Sequence, residues 1–289
     1  MASEQFVEVA DRVWVARHEW FDLNITLVGS DSGLLVVDTH ASAKAARAVI
    51  ENVRRLGAGD VVAIVNTHEH FDHTFGNGEF LATYGAVPVH AHEVAAENTV
   101  FAGEWIKNAY LEEPDDPHGD EVRETEIVPA GHTFSSAVAL DLGDRAVELV
   151  HPGRGHTAGD LVVRVPDVDV VIAGDLVEES AARGHVPGFG RDCYPFEWPQ
   201  TLDVALNLIT LATVVVPGHG AVTDREFVEI QRNDIGILAE TIRDLASRGV
   251  PVDDALGSAD WPFDPEHLEH AVRRGYEHLP LSQRRLPLL

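Results

Sequence analysis

Residues 67–73 read Thr-His-Glu-His-Phe-Asp-His, which sets three imidazoles and one aspartate between positions 68 and 73. Imidazole nitrogen and carboxylate oxygen are the donors a Zn²⁺-class cation takes, and few other roles need so many of them side by side. The spacing divides the run. His68 and His70 stand two apart and face one way on an extended segment, whereas Asp72 and His73 come a turn later and can face a second centre. Just upstream, Val61-Val62-Ala63-Ile64-Val65 is an unbroken apolar stretch between Gly59-Asp60 and Asn66-Thr67. That is the pattern of a strand buried on both faces. The histidine run therefore hangs from the carboxyl end of a buried strand, where open α/β sheets place their ligand sites.

Three later positions carry the same donor types. His156 lies in Gly155-His156-Thr157-Ala158-Gly159-Asp160, a turn between two expected strands. Asp175 follows the apolar run 170–173 through Gly174, and His219 follows Val214-Val215-Val216 in Pro217-Gly218-His219-Gly220. Each sits at a strand end beside glycines, which let the backbone come close to something. A single strand-end histidine is more often structural than a ligand. Together with residues 68–73 these make five imidazoles and two carboxylates, the number that suits two metals sharing one bridging carboxylate, each left open to water.

The elements that must position these donors follow from the apolar patterning. Short apolar runs at 7–9, 13–16, 25–29 and 34–38 read as strands, separated by turn-type clusters such as Ser30-Asp31-Ser32-Gly33. Ala45, Val49, Val53 and Leu56 recur at helical spacing, which predicts a helix over 43–56 with Ser42 as its cap. A helix from His92 to about Tyr110 ends in the acidic, Pro-broken loop 112–117. Further strands are expected at 138–142, 146–150, 161–165, 170–173 and 214–216, with helices at 202–211, 225–248 and 265–276. Strands, helix, strand thus occur in that order twice, at 7–65 and 138–216, a loose duplication of topology. No linker-like stretch divides the chain, so a single domain over 1–289 is expected, with a core at 7–220 and a helical extension at 225–289.

On these motifs the chain resembles the metallo-β-lactamase superfamily. The Thr-His-x-His-x-Asp-His signature, a later Gly-His-Thr, a strand-end Asp and a Pro-Gly-His are matched in order by residues 67–73, 155–157, 175 and 217–219. The resemblance implies an α/β fold, a four-layer αββα sandwich of two mixed β-sheets flanked by helices, with the site at one edge. It also implies that His68, His70 and His156 hold a first metal, that Asp72, His73 and His219 hold a second, and that Asp175 bridges them. Zn²⁺ is the expected cofactor, two per chain, with iron or manganese as alternatives. In most lactam-hydrolysing members the bridging position is Cys or carries no donor; Asp175 looks more like the thioesterase, lactonase or phosphodiesterase branches. Many relatives have a small residue where Phe75 stands.

The expected reaction is hydrolysis of an ester, thioester, lactone or related bond. A bridging hydroxide attacks, one metal polarises the electrophile and the other steadies the leaving group, with Asp72 also orienting the nucleophile. The alternative is a mononuclear-iron dioxygenase of the same fold acting on a thiol or persulfide, and a catalytically silent binding module is a third reading. Flavin-linked di-iron members carry Glu where His70 stands and add a flavin domain, and neither feature is present. Other histidines are decoys or supports. His90 and His92 form an His-x-His with no Asp-His after it, and His132 sits in a second Gly-His-Thr without a prompt strand-end carboxylate. Asp38 and His40, at the end of an early strand, are expected to support ligands from behind. His18, His151 and His185 are left unassigned. The aromatic loops 18–21 and 184–198, and Phe71, are candidate pocket lining.

Composition bounds the partners. A formal charge of −27 disfavours a nucleic-acid backbone, and the pairs Arg54-Arg55, Arg273-Arg274 and Arg284-Arg285 are too isolated to reverse it. One cysteine, Cys193, excludes a disulfide framework. There is no apolar run of spanning length and no signal-peptide pattern at the N-terminus, so the expectation is a cytoplasmic protein with a small-molecule substrate and no membrane partner. Homo-oligomer formation stays open.

Overall fold

The computed structural model describes residues 4–280, so that Arg284-Arg285 and the last residues of the expected extension lie outside the described residues. Apolar, β-branched runs build the first strands: β1 (Val7–Ala10), β2 (Val13–Arg17), β3 (Asn24–Ser30) and β4 (Gly33–Val37), each antiparallel to the next. The chain then crosses over through α1 (Ala43–Leu56), whose first turn is closed by the Ser42 side chain accepting from the Ala45 N–H. That crossover makes β5 (Val61–Val65) parallel to β4. Two short helices, α2 (Phe71–Thr74) and α3 (Asn77–Tyr84), lead to β6 (Val89–His92), α4 (Glu93–Glu112), α5 (Gly119–Glu124) and β7 (His132–Phe134). The result is a seven-stranded mixed sheet in the order β1 to β7.

The second sheet repeats the opening of the first. β8 (Ala137–Asp141), β9 (Ala146–Val150), β10 (Val162–Val165) and β11 (Val170–Glu178) are successively antiparallel, and α6 (Trp198–Leu206) crosses over to β12 (Val214–His219), parallel to β11. The duplicated unit is therefore four antiparallel strands, a helix, and a parallel strand. The metal-type residues correspond in pairs: β4 leads to Asp38 as β11 carries Asp175, and β5 leads to residues 68–73 as β12 ends in His219.

Strand alternation sorts the side chains into layers. Leu35 and Val37 of β4 meet Val170 and Ile172 of β11 in the core between the sheets. Leu34 and Val36 face the other way, against Val49, Ile50 and Val53 of α1. On the far side of the second sheet, Val171 and Ala173 pack with α6 and with α7 (Arg225–Ser247), after which come α8 (Val252–Ala255) and α9 (Glu269–His278). Two sheets with helices on both outer faces make the four-layer αββα sandwich. Among the described residues no helix is long and apolar enough to cross a membrane.

Several expected elements differ in detail. The sixth helix runs over 198–206 instead of 202–211, because Trp198 is driven into the core and Pro199 fits the first helical turn. The strand expected to end at 173 continues through Asp175 to Glu178. β6 and β7 carry His90, His92 and His132, which the decoy reading left outside any strand; His90 pairs with His132 across them.

Candidate metal centre

The seven donors converge at the sheet ends. His156 Nε2 lies 2.8 Å from His70 Nδ1 and 3.4 Å from Asp175 Oδ2, and His68 Nε2 lies 3.7 Å from that same oxygen. On the other side, His73 Nε2 is 3.3 Å from His219 Nε2 and 3.2 Å from Asp175 Oδ1, while Asp72 Oδ2 stands 3.5 Å and 3.4 Å from the two ring nitrogens. Three-donor groups able to hold a cation are thus His68–His70–His156 and Asp72–His73–His219, with His68–His73–Asp175 joining them. A fourth, His156–Asp175–Glu178, brings in a residue the sequence reading missed.

Each imidazole is oriented by what its other nitrogen does. His73 Nδ1 donates to Asp38 Oδ2 at 2.8 Å, and His219 Nδ1 donates to the Phe21 carbonyl at 2.7 Å. The Thr67 hydroxyl gives its one proton to Asp38 at 2.8 Å and so accepts from His68 Nδ1 at 3.1 Å. His70 Nε2 donates to Asp192 at 3.0 Å. On four rings the outer nitrogen is thus the engaged donor, which leaves the inner nitrogen of the neutral ring as the one able to ligate a cation. His156 Nδ1 has only Glu178 Oε1, 4.0 Å away.

Asp38 supports the centre as expected. It sits at φ 63°, a turn at the end of β4 that lets one carboxylate reach both His73 and Thr67. His40 does not: its Nδ1 accepts from the Ala41 N–H, and its ring lies against His18 and Trp20. The turn carrying Asp72 and His73 is pinned by buried amides, since Asn66 Nδ2 donates to the His73 carbonyl at 3.2 Å and Asn77 Nδ2 to Asn66 Oδ1 at 2.8 Å. Asp160 closes the His156 turn, accepting from the Thr157 N–H and hydroxyl. Gly218 is required by close approach, because a Cβ there would lie 1.9 Å from Asp175 Oδ1.

Burial opposes charge on every one of these groups, and the neighbours decide the balance. For His70 the Asp192 carboxylate outweighs burial and lifts the ring to about 10; for His219 Asp175 does so, to about 9. Burial wins at His156, which falls to about 4. The Asp72 carboxyl is held below its usual range by His73 and His219 despite burial. Burial first, and Asp175 second, push Glu178 up to about 7.

The donor set fits cations better than it fits itself. His68 Nε2 and Asp175 Oδ1 are buried without a hydrogen-bond partner, and His73 and His219 face each other nitrogen to nitrogen at 3.3 Å, where two protonated rings would repel. A cleft of about 670 Å³ opens onto the cluster. Phe21 of the 18–21 loop and Phe189 of the 184–198 loop line it, as expected; Trp198 is instead fully buried in the core, and Tyr194 stacks on His278. The extension contributes as well, through Glu266 and His270. The decoys stay away: His132 is exposed in β7, and His92 stacks on His151 at 3.9 Å. His185 is tied to the Glu179 carbonyl.

Fold and site together define a two-sheet α/β sandwich with a histidine- and aspartate-rich cluster at the strand ends. The chain matches the sequence profile of the metallo-beta-lactamase superfamily over residues 18–219, and it belongs to that family. It is 28% identical over 204 residues to the metallo-beta-lactamase type 2 of Bacillus cereus, covering 70% of this chain and 68% of the relative. It is 24% identical to a linear primary-alkylsulfatase of a Pseudomonas species, covering 87% of this chain and 54% of that longer protein. Among solved structures, a metallo-beta-lactamase from Pontibacter korlensis aligns with a TM-score of 0.62 at 20% identity, covering 80% of this chain and 98% of the other. The FIM-1 enzyme of Pseudomonas aeruginosa, in its mono-zinc form, aligns at 0.62 and 19% identity over 81% and 95%. These structural likenesses carry the fold.

Proposed function

We propose that the protein is a binuclear zinc hydrolase of the ester, thioester or lactone type. In this reading His68, His70 and His156 hold one Zn²⁺, Asp72, His73 and His219 hold the other, and Asp175 reaches both. The observation that carries it is the inward aim of four imidazole nitrogens, each ring fixed by an oxygen accepting from its outer nitrogen. When bound, such cations supply Lewis acidity and bring the pKa of a shared water toward neutrality. The chain supplies the rest. Asp72 lines the cleft and is held ionised, so it would accept a hydrogen bond from the attacking water and orient it. Phe21 and Phe189 keep water from the flanks of the substrate. The cleft volume suits a medium-sized molecule with an apolar portion.

Lactam hydrolysis is the second reading, favoured by the names of the relatives at 28% and 27% identity. The deciding experiment is metal analysis combined with a panel of lactone, thioester, lactam and phosphodiester substrates. Two zincs per chain and a hit abolished by His70→Ala support the proposal. Activity that survives His70→Ala refutes the site. One iron per chain with oxygen uptake on a persulfide identifies a dioxygenase instead.

A further inference from the structure

Beside the main cleft a second hollow, of about 200 Å³, opens from the same donors, His70 and Asp72. Its outer wall is one side of α4, where Ala102, Trp105 and Ile106 fall together at helical spacing, and Phe71 closes it from within the histidine motif. Gly190, Arg191 and Asp192 form the remaining side. The two residues that follow Gly190 face opposite ways. Asp192 holds His70, while the Arg191 guanidinium lies 3.6 Å from the Trp105 ring centroid. Even with that guanidinium packed on it, Trp105 is 44% exposed.

We infer that this hollow takes the apolar arm of the substrate, a phenyl ring held one methylene from the reacting group or a chain of about six carbons in its place. The inference rests on the hydrolase reading for the position of that group. Continuity carries it: His70, Asp72 and Gly190 border both cavities, so a group at the metal centre can send one substituent into each. Size agrees, since an apolar cavity of ~150 Å³ accepts benzene. The indole and the Phe71 ring supply aromatic lining for an apolar arm, and the guanidinium packed on Trp105 keeps that wall in place.

The test uses the full-length, zinc-loaded chain and a neutral probe, phenylacetamide, with acetamide as control, followed by tryptophan fluorescence. Saturable quenching by phenylacetamide alone is expected; Trp105→Phe should remove it, and Ala102→Phe, which fills the hollow, should weaken binding about tenfold or more. Circular dichroism checks that both variants fold. In parallel, the ratio of phenylacetyl to acetyl ester hydrolysis should fall about tenfold in Ala102→Phe. Unchanged phenylacetamide affinity in a folded Ala102→Phe protein overturns the inference, whatever the activity. Probe binding that depends on Trp105 and Ala102, with no hydrolysis of any substrate, would instead sink the hydrolase reading and leave the hollow standing.

Discussion

At the scale of single residues, Asp192 is the contact on which His70 most depends. Among the described residues no other side chain fixes that ring's outer nitrogen, and the loop bearing it joins the motif only through folding. Removing the carboxylate frees the imidazole to rotate away from His156. Asp192→Ala should lower zinc affinity ~10–100-fold, and Asp192→Asn should restore part of it because the amide oxygen still accepts. A competitive chelator titration measures this, and equal affinity in all three proteins would remove Asp192 from the site. His18 makes a separate prediction about pH. It is buried, its Nε2 has no partner, and burial lowers it from 6.5 to about 4, with His40 the nearest ring. Between those values the unfolded chain takes up a proton that the folded chain refuses. The stability His18 allows is therefore complete above 6.5 and is lost as pH falls toward 4, by on the order of 3 kcal/mol. Urea denaturation of His18→Phe across this range should show a shallower decline than the parent; parallel curves would exclude the residue.

At the scale of elements, the join between β4 and the histidine turn leaves no room for a side chain. Gly76, just past α2, donates its N–H to the His40 carbonyl at 3.1 Å, and a Cβ there would fall 1.9 Å from the Thr39 oxygen and 2.7 Å from Ala46. Gly76→Ala must push α2 and α3 off the strand end. A loss of about 1–3 kcal/mol or more is expected, together with reduced zinc occupancy as Asp72 and His73 shift. Wild-type stability and full metal content would show that the turn can yield. The same join explains what the sequence could and could not reveal. Strands such as β4, β5 and β11 were legible because short runs of Val, Ile and Leu bounded by turn residues pack as buried strands. β6 and β7 were hidden, being short and carrying His90, His92 and His132 where apolar residues would have marked a strand. The seven donors were readable because their chemistry resides in residue type and strand-end position. Asp192, Glu178, Asn66 and Asn77 were not, since a lone polar residue acquires its role only from the ring or carbonyl that folding sets beside it.

At the scale of the whole molecule, the question is whether the C-terminal helices fold with the sandwich or merely rest on it. Ile235, Leu238, Ile242 and Leu245 of α7 share one apolar cluster with Val171 and Ala173 of β11 and with Ala271 and Val272 of α9. Ile242 is the hinge of that packing: it is fully buried, and α9 comes so close that a Cβ on Gly275 would lie 2.7 Å from it. The segment between α8 and α9, together with the start of α9, carries Glu266 and His270 into the cleft wall. One cooperative unit therefore predicts that Ile242→Ala, by leaving a cavity, costs about 2–5 kcal/mol and lowers a single calorimetric transition. Because α9 positions the cleft wall and not the metal donors, the variant should raise KM while binding as much zinc as the parent. Two transitions, only one of them moved by Ile242→Ala, would mean that residues 225–280 form a separate unit docked on the sandwich. An unchanged KM beside a lowered transition would mean that the cleft wall is held by the loops alone.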